Sequence, residues 1–222
     1  MDVYEALYTT RAMRRVKPDP IPEAVQARIL DAAIRAPSGG NGQGWRFMLV
    51  DDKTVIGQLA PLYKKCMDRM FATIYGERLK TANAAPEEGD NPEFLKMYRS
   101  ANYMGNNFAS YPLLLLAFTR GDRSGSSIYP AVWNAMLAAR AEGVGSSITS
   151  LIMGERKNMF KILGIPADEG WDFDCLVPMG YPTGRWGVAH RRPAHEVAYR
   201  NQWGEPLGFE IPQPLWVEAH PA

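Results

Sequence analysis

Ala36-Pro37-Ser38-Gly39-Gly40-Asn41-Gly42-Gln43-Gly44-Trp45 gathers four glycines, a hydroxyl and two carboxamides between a helical pattern and a strand-like run. Glycine tolerates positive φ and lets other atoms approach the backbone, while Asn41 and Gln43 each carry a donor and an acceptor able to read a heterocycle edge. Taken alone, such a loop is also an ordinary helix-to-strand turn. A second segment, Thr10-Arg11-Ala12-Met13-Arg14-Arg15, crowds three arginines together. Planar guanidinium forks pair bidentately with phosphate oxygens, and a solvated charge run is the competing reading. Together the two segments point to a phosphorylated heterocycle.

Outward from the loop, helical and strand-like segments alternate, as in an α+β or α/β domain. A short helix is expected over 3–8. The next begins at Ile21-Pro22-Glu23, with Pro22 near its first turn and a stripe of Val25, Ile29, Ala32 and Ala33 that ends before Pro37. Trp45 to Val50 reads as a buried strand, followed by a helix over 53–71 disturbed at Pro61. A polar loop over 83–91, a helix over 92–109 and a central strand over 113–119 come next. After a loop over 120–127, Ala131, Ala135, Ala138 and Ala139 mark a closely packed helix over 128–142, capped by Gly143. A helix over 155–163 and a strand over 173–179 complete the periodic part. The remainder, with Trp186, Trp203 and Trp216 and several prolines, shows little periodicity.

Composition narrows the function. A chain of 222 residues with 46% hydrophobic and 22% charged residues suits one globular domain rather than a disordered or fibrous chain. Its net charge of +1 argues against a general nucleic-acid or membrane-surface binder, both of which favour a broad basic surface. The most apolar run, Pro112 to Phe118, is too short to span a bilayer. Cys66 and Cys175 are too far apart in sequence to suggest a metal or redox pair and read as buried hydrophobes. Sparse cysteine and a Met1–Glu5 start without a basic or apolar leader point to the cytoplasm. His190, His195 and His220 lack metal-site spacing and read as solvated or capping residues. No nucleophile elbow or Walker loop is present, which disfavours hydrolase and kinase chemistry.

Four segments in order resemble the nitroreductase family of FMN-dependent flavoproteins. The family's Arg-Arg-Ser-x-Arg-like opening reads here Thr10-Arg11-Ala12-Met13-Arg14, and its Ala-Pro-Ser-x-x-Asn-x-Gln-Pro-Trp segment is matched at Ala36, Pro37, Ser38, Asn41, Gln43 and Trp45. Gly143-Val144-Gly145-Ser146-Ser147-Ile148-Thr149 is similar to its Gly-Leu-Gly-Ser segment. Met179-Gly180-Tyr181-Pro182, followed by Arg191-Arg192-Pro193, is similar to its Gly-Tyr-Pro and C-terminal basic elements. The resemblance implies an α+β fold: a three-layer α/β/α sandwich with a central, mainly antiparallel sheet, in a domain-swapped homodimer. It implies one FMN-binding domain over 1–222, whose arm over 183–222 embraces the partner subunit.

The resemblance also implies a mechanism, in which hydride passes from NADPH or NADH through flavin N5 to a nitroaromatic, quinone or similar electron-poor acceptor in ping-pong fashion. The flavin carries that chemistry, so no side chain need be catalytic. Arg11 and Arg14, with Arg191, would neutralise the FMN phosphate, with Arg15, Arg185 and Arg192 as substitutes and Ala12 beside them. Pro37, Ser38, Asn41 and Gln43 would meet the ribityl or pyrimidine atoms. Ser147, Ile148, Thr149 and Ser150 would offer backbone N–H groups near N5. Tyr98, Tyr103 and Phe108 either line the ring face or belong to the core. Three positions depart from the family pattern: Thr10 replaces an arginine, Ala12 a serine, and Gly44 a proline whose loss is expected to loosen the loop. The same scaffold also accommodates an FMN-storing or FMN-sensing protein, a flavin-destructase, a dehalogenase and a deazaflavin-linked relative.

Overall fold

The run Leu113-Leu114-Leu115-Leu116 is apolar at every position, and a strand of that composition needs cover on both faces. In the computed structural model, which describes residues 1–166, 168–211 and 216, it has both. Leu113 and Leu115 enter one core, while Leu114 and Leu116 enter the other.

In chain order the elements are α1 (Val3–Thr9), α2 (Glu23–Ala33), β1 (Trp45–Val50), α3 (Lys53–Thr73), α4 (Gly76–Ala84) and α5 (Asn91–Asn106). They continue with β2 (Leu113–Thr119), α6 (Ile128–Ala141), β3 (Gly145–Ser146), α7 (Arg156–Leu163) and β4 (Asp172–Gly180). The strands form one antiparallel sheet in the order β1-β2-β4-β3. One face packs on Ile29 and Ala33 of α2 and on Ala131, Val132, Ala135 and Ala139 of α6. The other packs on Ile56, Leu59 and Met67 of α3, Met104 of α5 and Met159 and Phe160 of α7. The result is the expected three-layer α+β sandwich.

A bulge joins the two cores at one end of the sheet. Ala117 pairs with Cys175 and Phe118 with Phe173, so Asp174 is the extra residue. Because side chains alternate along a strand, this insertion sends Cys175 to the α2/α6 core and Phe173 to the other. The Asp174 carboxylate accepts from Thr119 Oγ1 at 2.9 Å.

Several sequence expectations need correction. α3 runs unbroken through Pro61, because Pro61 and the residue four before it, Gly57, are both exposed and water can serve the carbonyl that proline leaves without a donor. Residues 83 and 84 end α4 rather than opening a loop. That helix was not anticipated because only Ala82 of it is buried, leaving no apolar stripe to read. α5 stops at Asn106, and Phe108–Ser110 form a 3-10 turn. The two-residue β3 is too short and too small in its side chains to register as a strand. Both cysteines are buried and free, and burial pushes the Cys175 thiol up to about 12, where it is inert as a nucleophile.

The chain divides into two compact units, Met1–Arg11 with the chain from Trp186 onward, and Ala12–Arg185. In the first, the Ala189 amide donates to the Tyr8 carbonyl at 3.2 Å, and the rings of Tyr8 and Trp216 lie 5.7 Å apart. His195 Nδ1 accepts from the Ile211 amide, while His220 lies outside the described residues. Among the described residues, no helix is long and apolar enough to cross a membrane. Leu115→Ala, at a fully buried position serving the α2/α6 core, is expected to lower the unfolding free energy by about 2–5 kcal/mol in a urea titration.

Candidate functional site

The glycine-rich loop after α2 is held by its own polar side chains. Ser38 Oγ accepts from the Gln43 amide at 3.1 Å, and Gln43 Nε2 donates to Asn41 Oδ1 at 3.2 Å. Gly40, Asn41 and Gln43 all have positive φ, of 58°, 54° and 47°. Asn adopts this region readily but Gln does not, so the loop stores strain at Gln43. With one group of each spent internally, Asn41 keeps its amide donors and Gln43 its acceptor oxygen, and both side chains are exposed. Gly44 does not loosen the loop, contrary to expectation. Its carbonyl accepts from the Arg120 amide at 2.9 Å, and a Cβ at position 44 would stand 2.9 Å from the Arg120 oxygen. Close strand approach therefore demands glycine where the family carries proline.

This loop forms one wall of a cavity of about 360 Å³, completed by Thr119 to Asp122 and by Ser126 and Ser127. Asp122 anchors the far wall, accepting from the Ser127 and Ile128 amides at the start of α6 at 2.9 and 3.0 Å. Partial burial pushes its carboxyl up, but these bonds and those from Ser124 and Ser126 outweigh it and hold the group below its usual range.

A second grouping lies along the Ala12–Val16 segment. Ala12 bridges Ser146 in parallel, the Met13 amide donates to the Ser146 carbonyl at 3.0 Å, and Val16 bridges Pro182. Gly145 makes this possible, since a Cβ there would come within 2.8 Å of the Met13 Cβ. The pairing brings the arginine segment beside residues 145–150, although more than a hundred residues separate them in sequence. Tyr111 Oη donates to the Arg14 carbonyl at 2.6 Å and fixes its backbone. The half-buried Arg14 side chain donates to Ser100 Oγ at 3.4 Å, whereas the Arg15 guanidinium lies over the Tyr103 ring, 4.5 Å from its centroid.

Segment 147–150 alternates like a strand. The amides of Ser147 and Thr149 donate to Pro178 and Leu176 of β4, so they are spent within the fold. Those of Ile148 and Ser150 have no acceptor among the described residues, and both residues are exposed. Of the four amides expected to serve a ligand, geometry leaves Ile148 and Ser150 available. The Ser147 hydroxyl donates to Met104 Sδ at 3.6 Å, and the Thr149 hydroxyl lies 3.3 Å from Tyr63 Oη.

The other anticipated residues have the following settings. Ala12 and Pro37 are exposed. Arg11 and Arg191 belong to the smaller unit, both exposed, with Arg191 donating to the His190 carbonyl at 2.8 Å. Arg192 and Arg185 are also exposed. Tyr98 packs edge-on against Phe71 and Phe108 stacks on Tyr63, so both serve the core, while Tyr103 supports Arg15. Sequence reasoning missed Tyr63, Ser100, Met104 and Tyr111. Tyr63 offered a faint signal, a phenol on the apolar stripe of α3 whose hydroxyl needs a distant partner. Among the described residues, no cluster of His, Cys, Asp and Glu could hold a metal ion.

The family model described as the nitroreductase family matches residues 7–181. The chain belongs to the nitroreductase family. This nitroreductase-family chain is 28% identical over 200 residues to a Thermus thermophilus protein named NADH dehydrogenase, with 89% of this chain and 95% of that one covered. It is 29% identical over 211 residues to a Rhodospirillum rubrum protein named 5,6-dimethylbenzimidazole synthase, covering 90% and 94%. A crystal structure of oxidised iodotyrosine deiodinase bound to FMN and 3-iodo-L-tyrosine superposes with a TM-score of 0.70 at 24% identity, covering 90% of this chain and 99% of that one. The family is therefore settled, while the three proteins bear three different names.

Asp122→Ala is expected to cost about 1 kcal/mol at neutral pH, as loss of a helix cap does. A depressed carboxyl contributes fully above the unfolded value of about 3.9 and loses that contribution as pH falls through its lower folded value. Urea titrations of the two proteins should therefore converge at the acid end of a pH series.

Proposed function

We propose that this protein is an FMN-dependent oxidoreductase that takes hydride from NADPH or NADH and delivers it to an electron-poor acceptor such as a quinone or nitroaromatic. One observation carries the reading. The pairing of Met13 with Ser146 brings the backbone that carries Arg14 beside a segment whose Ile148 and Ser150 amides are turned away from β4. A cation for a phosphate, neutral amide donors for a heteroaromatic edge and, among the described residues, no buried Asp or Glu make a donor set that fits FMN. When bound, FMN supplies a hydride-accepting ring that passes electrons on to the acceptor.

The protein's share is binding and orientation. Arg14 would hold the phosphate, its backbone steadied by Tyr111. Arg11 and Arg191 are assigned to the same phosphate on guanidinium chemistry and family resemblance alone, with Arg15 in reserve because it is engaged over Tyr103. The Ile148 and Ser150 amides would stabilise negative charge on the reduced ring. Ser38, Asn41 and Gln43 would meet the ribityl or pyrimidine portion of a partner subunit's FMN, the internally braced loop presenting the free amide donors of Asn41 and the free acceptor oxygen of Gln43.

We propose a homodimer whose arm, over 183–222, embraces the partner. Val3, Tyr4 and Leu7 of α1 and Val197, Tyr199 and Trp203 beyond it are exposed in the single chain, Trp203 at 91%. Exposed apolar side chains of this number support the reading, because large apolar surface on a folded domain commonly serves an interaction. Two buried, unpaired cysteines fit the reducing cytoplasm.

Purified protein is expected to show a flavin spectrum that NADPH or NADH bleaches anaerobically and a quinone restores. Flavin that stays oxidised would favour storage, sensing or another reductant, and protein that takes up no FMN would sink the proposal. Arg14→Ala, Arg11→Ala and Arg191→Ala are each expected to weaken FMN retention by about ten- to a hundredfold, the worth of a charge-assisted hydrogen bond. Arg28→Ala serves as the control, because Arg28 is committed to Glu142 through two 2.7 Å bonds. Equal retention in all four proteins would refute the phosphate assignment.

A further inference from the structure

Ser100 and Tyr103 stand three residues apart on α5, which puts them on one face of that helix, and both meet the arginine segment. Arg14 Nη1 donates to Ser100 Oγ at 3.4 Å, and the Arg15 guanidinium rests over the Tyr103 ring. The Tyr111 hydroxyl holds the Arg14 backbone from another direction, at its carbonyl. A fixed arginine thus has a serine hydroxyl at its side.

Neither Arg14 nor Ser100 is used up by the other. Charge-assisted N–H···O bonds run at about 2.7–2.9 Å, so a separation of 3.4 Å is a loose engagement. The guanidinium has five N–H groups, of which one is turned to the serine. Ser100 Oγ accepts there, and its own hydrogen has no acceptor among the described residues. The hydroxyls of Thr9, Thr73 and Thr81 each donate to the carbonyl four residues earlier in their helices, whereas Ser100 does not donate to that of Lys96. Two donors 3.4 Å apart can share one acceptor, because an oxygen about 2.8 Å from each completes a triangle with them. Ala12 lies two residues before Arg14 in a segment paired like a strand, so both side chains leave it on the same side. At that position, where the family pattern has serine, this chain offers no hydroxyl.

We propose that Ser100 is a further phosphate-binding residue: its hydroxyl donates to the FMN phosphate oxygen that Arg14 pairs with, and supplies from α5 the hydroxyl absent at position 12. This rests on the reading that the protein binds FMN and that Arg14 meets its phosphate. A hydroxyl that accepts from a guanidinium is polarised toward donating its own hydrogen, which suits it to an anionic oxygen.

The test compares FMN with riboflavin, which has the same ring and ribityl chain but no phosphate. Dissociation constants for both are read by flavin fluorescence titration of the full chain freed of flavin, in wild type, Ser100→Ala and Ser100→Ala combined with Ala12→Ser. Alanine is the better helix former, so Ser100→Ala is expected to fold, which a urea titration checks. It should weaken FMN about tenfold, the lower end of the worth of a hydrogen bond to a charged group, and leave riboflavin unchanged. Adding Ala12→Ser should recover most of the loss. An unchanged FMN constant, or equal losses for FMN and riboflavin, overturns the assignment, since a merely structural serine would not distinguish the two flavins. Failure of Ala12→Ser to recover affinity overturns the claim that Ser100 replaces the missing hydroxyl.

A cycle with Arg14→Ala, read with FMN alone, decides the matter should riboflavin bind too weakly to titrate. Two donors on one oxygen are coupled, so Ser100→Ala is expected to cost less in the Arg14→Ala background than in wild type. Additive losses would place the two groups on separate parts of the ligand and overturn the inference. A wild-type chain that binds neither flavin removes the functional reading and this inference with it, an outcome distinct from a flavoprotein indifferent to Ser100.

Discussion

A seven-residue strand buried along its whole length, Leu113 to Thr119, is the constraint on which the rest of the architecture depends. Water can reach neither face, so a helical layer must cover each. α2 and α6 cover one side and α3, α5 and α7 the other, and every flanking strand takes its register from this one or from its neighbour β4. The site inherits its position from that arrangement. β4 pairs with β2 along one edge and receives the Ser147 and Thr149 amides along the other, so the Ile148 and Ser150 amides are turned outward by strand alternation alone.

The same logic explains why small residues recur where the chain must approach itself. Gly145 admits the Met13 side chain, and Gly44 admits the Arg120 carbonyl. Neither is a flexible point. Each is a place where backbone meets backbone or a neighbouring Cβ too closely for a side chain. The substitution of glycine for the family's proline at position 44 is thus a local packing solution that leaves the strand end held by the Arg120 amide.

Legibility from sequence followed burial. β1 and β2 were readable to the residue because their apolar runs are continuous and bounded by glycine or polar turns. α4 was not, since a helix with one buried residue carries no periodic signal, and β3 was not, since two small residues cannot display alternation. At the site, the loop at Ser38 and the arginines at 11–15 stood out by composition. Tyr63, Ser100, Met104 and Tyr111 did not, because each lies on a helix or turn where its residue type is unremarkable and its partner is distant in the chain.

By itself the sequence determined an alternation of helices and strands, as in an α+β or α/β domain, and a motif order that resembles the nitroreductase family, because apolar periodicity and residue type are local properties of the chain. Tertiary structure alone decided which of the anticipated groups the fold leaves uncommitted. Whether an amide is spent on β4 or left outward, and whether Arg15 is held over Tyr103, depend on partners brought together only when the sheet closes. A hydrogen-bonding group has a fixed number of donors and acceptors, and only the folded chain shows how many are already used.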